Sequence, residues 1–240
     1  MTRILLWSGP RNLSTAMMRS FGARGDCAVW DEPFYAPYLA ATGSDHPMRN
    51  EVLSSHETDP AKVTAACAAP APDGSAHFYQ KHMTHHMIDA FDLSFMDGAV
   101  NVFLLRSPER VLASYADKWE AVTLHGIGFV TQASLFDNIA QKSGQAPVVL
   151  NSSDVTRAPA ETLKKLCAAI GISWTENMLH WPSGPHASDG VWGKHWYNAV
   201  EKSTGFSTKP ERDITLPDHL QKIADDARPY YEELLAFAIR

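Results

Sequence analysis

Residues 4–21, ILLWSGPRNLSTAMMRSF, join an unbroken apolar run to a segment with helical spacing. A strand that is apolar on both faces must be covered on both, which points to the interior of a mostly parallel sheet. The same alternation recurs along the chain. Residues 27–30 read as a second strand, 77–80 as a third, 101–105 (NVFLL) as a fourth and 147–150 as a fifth. Helical patterns follow at Asp59-Pro60, at Pro108 and over 159–170, where Gly171 closes the segment. The tail from Pro217 is amphipathic, with Leu220, Ile223, Ala227, Tyr231, Leu234 and Phe237 spaced for one face. Between 34 and 55 the pattern fades into loop or irregular helix, and AAPAPDG at 68–74 reads as a surface connection.

Strands alternating with helices over 240 residues, 45% of them apolar, predict one α/β domain with helices on both faces of the sheet. The formal charge of −6 argues against a general nucleic-acid binder, whose affinity comes from clustered Lys and Arg. Any anion site must therefore be local. Cys27, Cys67 and Cys167 are too far apart for a CxxC pair, a zinc site or a disulfide framework, which favours a reducing compartment. No apolar run reaches membrane-spanning length, and the opening residues do not read as a signal peptide. The expected location is the cytoplasm.

Sheets of this type bind ligands at the carboxyl ends of their strands. The first such end carries Gly9-Pro10-Arg11-Asn12-Leu13-Ser14-Thr15. The helix that follows offers unpaired N–H groups to an anion, and Arg11 adds a planar, multi-donor cation. Ser14 or Thr15 could equally be a structural cap. The loop is not a Walker A motif, because Leu13-Ser14 stand where that motif needs Gly-Lys. After NVFLL, Arg106 stands at a strand end and Ser114 about two turns into the helix begun by Pro108. Here too a structural account exists, with Ser107-Pro108-Glu109 as a helix start and Arg106 paired with a surface carboxylate.

Together the two segments resemble the sulfotransferases that use 3′-phosphoadenosine 5′-phosphosulfate (PAPS). That family carries a Pro-x-x-Gly-Ser/Thr-Thr loop that binds the 5′-phosphosulfate, onto which Pro10, Arg11, Ser14 and Thr15 fall. It also carries an Arg-x-Pro segment ending in Ser that binds the 3′-phosphate, onto which Arg106, Pro108 and Ser114 fall. Leu13 replaces the usual glycine, which implies a different loop path or a shifted phosphate. Residues 147–155 and the helix after Pro159 match the family's late strand, acidic loop and helix. Glu201-Lys202-Ser203-Thr204-Gly205-Phe206 is similar to its basic, glycine-containing C-terminal loop over the donor's 3′-phosphate end, with Lys202, Ser203, Thr204 and Gly205 as the binding candidates. The resemblance implies a P-loop NTPase-like three-layer α/β/α fold, PAPS as donor without a metal, and a small-molecule or carbohydrate acceptor. Arg11 would stabilise the departing phosphate, with Asn12, Leu13 and the two hydroxyls around it. Acceptor specificity would lie in 34–74 and in the Trp-rich stretch 174–196, where Trp181, Trp192, Trp196 and Tyr197 could line a cleft or pack in the core.

An acceptor hydroxyl or amine also needs a base. Glu32, at the end of the second strand, is the first candidate, with a structural pair to Arg11 as the other reading. Asp31 would point to the opposite side if the strand continues. The second candidate is His82, next to Lys81; relatives place a Lys and a His after the third strand, the Lys near the sulfuryl group, but separated by one residue. His82 and His86 would share a face if helical, yet without a cysteine beside them a metal is not expected. Two rivals stay open: a small-molecule P-loop kinase, and a non-catalytic module that binds a phosphorylated nucleotide.

Overall fold

The computed structural model describes residues 1–116, 122–208 and 213–240. Five strands, β1 (Thr2–Ser8), β2 (Cys27–Asp31), β3 (His77–Met83), β4 (Val100–Leu105) and β5 (Val148–Asn151), form one parallel sheet in the order β2-β3-β1-β4-β5. The chain visits β2 and β3 on one side of β1 and then crosses to β4 on the other. The carboxyl end of β1 therefore lies at the switch point where such sheets open a crevice.

Alternation along β1 divides the core. Ile4 and Leu6 pack on one face with Met17, Met18 and Phe21 of α1 (Ser14–Gly22), and with Leu163 and Leu166 of α8 (Pro159–Ala169). Leu5 and Trp7 face the other layer, with Val63 and Cys67 of α4 (Pro60–Ala68), Phe136 and Ile139 of α6 (Phe129–Ser143), and Leu234 of α10 (Asp218–Leu235). The result is the expected three-layer α/β/α arrangement. Trp7 is fully buried, and its indole N–H donates to Asn101 at 2.9 Å, so the largest core ring has its polar edge satisfied.

Several local signals act as predicted. Asp59 caps α4 by accepting from the Ala61 N–H, with Pro60 in the first turn. Pro108 opens α5 (Pro108–Tyr115), and Gly171 follows α8 with φ 72°. Other segments differ. The faded stretch holds α2 (Tyr35–Thr42) and α3 (Arg49–Ser55), and α6 lies where the sequence pattern was assigned no element. β3 runs on to Met83, so Lys81 and His82 are strand residues with opposite faces rather than part of a following helix. α10 ends at Leu235, so Phe237 lies beyond the helix and is 47% exposed.

The start of α6 wedges under the first strand's turn. A Cβ on Gly9 would lie 2.3 Å from the carbonyl oxygen of Ile127. Gly128, at φ 79°, would place a Cβ 2.5 Å from the Thr84 hydroxyl and 3.3 Å from Gly9 Cα. Both glycines are there because backbone meets backbone. Gly128→Ala is expected to lower stability by about 2–4 kcal/mol, the combined cost of a left-handed alanine and overpacking. Thermal melting should register a Tm drop of roughly 5–15 °C.

Candidate functional site

The turn after β1 rises from Gly9 into α1 with two non-glycine residues in the left-handed region, Arg11 at φ 60° and Leu13 at φ 73°. Leu13 thus takes the backbone state that favours glycine, at a cost of about 1–2 kcal/mol. Part of that cost is offset by packing of the leucine against the α1 core layer. The first turn of α1 carries no acidic residue, so its N–H groups and the Ser14 and Thr15 hydroxyls face an electrostatically open end. Asn12 is fully buried and donates to the Leu104 carbonyl at 3.2 Å, tying the turn to β4 as a strut.

The second segment meets this turn directly. Arg106 donates through Nη1 to the carbonyl oxygen of Arg11 at 2.7 Å, and Arg11 Nε donates to the Ser114 hydroxyl at 2.9 Å. Two guanidinium groups from different strand ends therefore share one wall.

A buried ionic cluster forms the far end. β2 stops at Asp31 and Glu32 turns to φ 42°, so both carboxylates swing toward β3 instead of pointing apart. Lys81 Nζ donates to Asp31 Oδ1 at 2.9 Å, Glu32 Oε1 at 2.5 Å and the Tyr197 hydroxyl at 2.7 Å. An ammonium has three N–H donors, and all three are engaged. Burial works against the ammonium, yet Asp31 and Glu32 outweigh it and hold the Lys81 pKa above its ordinary value. Burial raises the Glu32 carboxyl, with Lys81 opposing and Asp31 reinforcing the rise. Tyr197 donates to Asp31 Oδ2 at 2.7 Å and accepts from Trp192 Nε1 at 3.1 Å, and the Gly190 N–H reaches Asp31 Oδ2 at 3.1 Å. Glu32 pairs with Lys81, not with Arg11, and the structural alternative for it is corrected in that sense.

Arg11, Arg106, Ser114, Glu32 and Lys81 line one cavity of about 350 Å³, together with Pro10, Asn12, Leu13, Ser14 and Thr15. His82 is absent from that lining. It occupies the other face of β3, stacked on Trp7 at 4.6 Å and packed against Phe34 and Phe95, so the sequence assignment of a base to His82 is corrected. Met83 faces the cavity instead, and His85 and His86 follow it there. Of the C-terminal segment, Ser203, Gly205 and Phe206 line the cavity while Lys202 and Thr204 are exposed and absent from its lining, a second correction, because the chain turns at 201–202 and bends at Thr204. Trp181 anchors that segment by donating to the Ser203 hydroxyl at 3.1 Å. Trp196 and Tyr197 line the cavity, and Trp181 and Trp192 are packed beside it. Tyr35, His46, His85, His86 and Tyr115 also line it, and the sequence reading assigned none of these five. Among the described residues no cluster of three or more metal-ligating side chains is present, and no helix is long and apolar enough to cross a membrane.

Comparison with known proteins decides the family. The model of the sulfotransferase domain matches residues 2–238. This chain belongs to that sulfotransferase-domain family. Two Arabidopsis thaliana proteins, branched-chain-amino-acid aminotransferase-like proteins 1 and 2, are 34% and 32% identical to it over 95% of its length. The chain spans only 40% of either relative. The sulfotransferase domain of the Synechococcus PCC 7002 olefin synthase shares the fold, with a TM-score of 0.58 at 17% identity over the whole of this chain and 96% of that one.

The imidazoles of this sulfotransferase-family chain make its stability depend on pH. Burial pushes His82 and His85 down to about 3 and sends His86 well below its ordinary value. The folded chain keeps them neutral, whereas the unfolded chain protonates them below about 6.5. The unfolded state then binds more protons, so stability falls as the pH drops from about 6.5 toward 3. Each contributes up to about 1.4 kcal/mol per pH unit in that window. Denaturant titrations at successive pH values should show this decline, and His82→Gln should make it shallower by about one histidine's share.

Proposed function

We propose that this chain transfers a sulfuryl group from PAPS to a hydroxyl or amine of a small-molecule or carbohydrate acceptor. The observation that carries the reading is the shared wall of Arg11 and Arg106, bonded to each other's segments and open to one cavity. A donor with anionic groups at two ends calls for cationic groups from more than one segment, and one basic loop alone would not supply them. The α1 N-terminus and the Ser14 and Thr15 hydroxyls receive the phosphosulfate end, and Arg106 and Ser114 receive the 3′-phosphate. The Arg11–Ser114 hydrogen bond joins the two grips, so an anion at either end competes for it.

In this reading the electrostatic work falls to Arg11, because the donors of Lys81 are all engaged by Asp31, Glu32 and Tyr197. Lys81 instead fixes one oxygen of Glu32. Glu32 serves as the base, and burial, which raises its carboxyl above the ordinary carboxylate range, makes it a better proton acceptor than an exposed glutamate. The acceptor's O–H or N–H proton passes to Glu32 as its lone pair attacks sulfur, and the bond from sulfur to the phosphate oxygen breaks. The aromatic wall of Tyr35, Tyr115 and Trp196 shapes the acceptor's seat.

A second reading, a nucleotide-phosphate-binding module without turnover, draws support from His82 facing the core and Lys81 lacking a donor for the sulfuryl group. Turnover with labelled donor across a panel of alcohols, amines, phenols and sugars separates the two. In a thermal-shift assay, 3′-phosphoadenosine 5′-phosphate should stabilise the protein more than ATP with magnesium does; the reverse preference points to a kinase. Arg106→Ala should weaken that binding about 10–100-fold, the worth of a charged hydrogen bond. Glu32→Gln should lower kcat by about 10²–10⁴-fold with nucleotide binding retained, and full activity in that variant removes Glu32 as the base.

A further inference from the structure

The ionic cluster at the far end of the cavity is saturated on every side but one. Asp31 accepts from Lys81, Tyr197 and Gly190, and Glu32 Oε1 accepts from Lys81. Glu32 Oε2 faces Nδ1 of His86 at 3.9 Å. That nitrogen is buried and has no hydrogen-bond partner. Leaving such a group unsatisfied costs free energy, so its placement opposite a carboxylate oxygen calls for an explanation.

Aromatic rings pack the His86 ring on three sides. It is 2% exposed and lies between Tyr35, stacked at 4.5 Å with 7° between planes, and Tyr38, stacked at 5.0 Å. His85 meets it edge-on at 4.4 Å. A carboxylate only accepts hydrogen bonds, so the tautomer that fits this site carries its hydrogen on Nδ1. Closing the gap to an ordinary hydrogen bond takes a movement of about 1 Å, within reach of a small rotation of the Glu32 side chain.

We propose that His86 is a positioning residue for Glu32: its Nδ1–H holds the second carboxylate oxygen at the cavity and favours the ionised form that takes the acceptor's proton. The proposal rests on Glu32 being the base. The acceptor's O–H bond breaks and its proton moves to Glu32 Oε2, while the oxygen pair forms the new bond to sulfur. The sulfur–oxygen bond to the donor's phosphate breaks, and 3′-phosphoadenosine 5′-phosphate leaves with that electron pair. His86 gains and loses no proton. The charged and titratable groups facing it are Glu32 from the end of β2, Tyr35 and Tyr38 from α2, His46 beyond α2, Lys81 and His82 from β3, and the adjacent His85. Lys81 and the neighbouring imidazoles, with burial foremost, keep His86 itself neutral.

Two substitutions separate the hydrogen bond from the packing. His86→Phe keeps a ring between Tyr35 and Tyr38 but removes the donor; His86→Asn restores an N–H near the Nδ1 position. If the phenyl ring is not accommodated, His86→Leu takes its place. The first readout is the titration of Glu32 by carboxyl carbon NMR in the unliganded full chain, with Glu32→Gln identifying the resonance. The midpoint should move up by about one pH unit in His86→Phe and return most of the way in His86→Asn. The second readout is the acidic limb of the kcat profile, which should move in the same direction, with kcat reduced about 10–100-fold and the thermal shift by 3′-phosphoadenosine 5′-phosphate unchanged. An unmoved Glu32 midpoint in His86→Phe, or no recovery in His86→Asn, overturns the proposal whether or not transfer is detected. A moved midpoint in a chain that transfers nothing supports the Glu32–His86 coupling and removes the enzyme reading instead.

Discussion

A single buried ammonium holds the far side of this molecule together. Lys81 is 1% exposed, and a charge so deep is tolerated only with its partners in place. Those partners come from β2 through Asp31 and Glu32, and from the C-terminal segment through Tyr197. One charge thereby fixes the strand end that carries the candidate base and the segment that closes the cavity. Removal of one partner from such a buried set generally costs about 3–5 kcal/mol, more than any surface pair in the molecule contributes. The arrangement also explains a division of labour. A lysine committed to three partners is a scaffold, and in the proposed reading the work of meeting an anion passes to Arg11 and Arg106, which line the same cavity.

The anion wall depends on strain held by packing. Arg11 and Leu13 both sit in the left-handed region, and the turn stays there because Gly9 lies on Ile127, Asn12 bonds to β4, and Arg106 holds the Arg11 carbonyl. In a glycine-containing turn the backbone would reach this state without help. Here it is imposed by the neighbours, and the return is a preset set of N–H groups at the head of α1.

The inner sheet is legible because β1, β4 and β5 carry unbroken apolar runs, Ile4–Trp7, Val102–Leu105 and Val148–Leu150, whereas the second half of β3 carries Gln80, Lys81 and His82. The turn after β1 and the Arg106–Ser114 segment were legible for a related reason, since each is a short local stretch at a strand end. What failed was phase. Ending β3 at Gln80 instead of Met83 put Lys81 and His82 together, when strand alternation sends them to opposite layers. In the 202–205 segment a turn and a bend, not strand alternation, put Ser203 and Gly205 in the cavity lining and leave Lys202 out of it. α6 carried a readable signal, with Phe129, Gln132, Ala133, Phe136 and Ile139 at helical spacing between Gly128 and Gly144. The wall of Tyr35, His46, His85 and His86 had none, because its members meet only through tertiary packing.

The two segments least readable in sequence share a small core of their own. Tyr35, Ala36, Leu39 and Val52 pack with Trp192 and Tyr197, and no strand residue belongs to that cluster. It joins the main body through Arg19–Asp189 and the Asp31–Lys81–Tyr197 contacts. Such a roof is modular: apart from Tyr197, which is itself a pin, its side chains can be exchanged among themselves while the contacts beneath stay fixed. Under the proposed function, substitutions confined to this compact cap would change which acceptor fits and leave the turn after β1 and its partners Arg106 and Ser114 untouched.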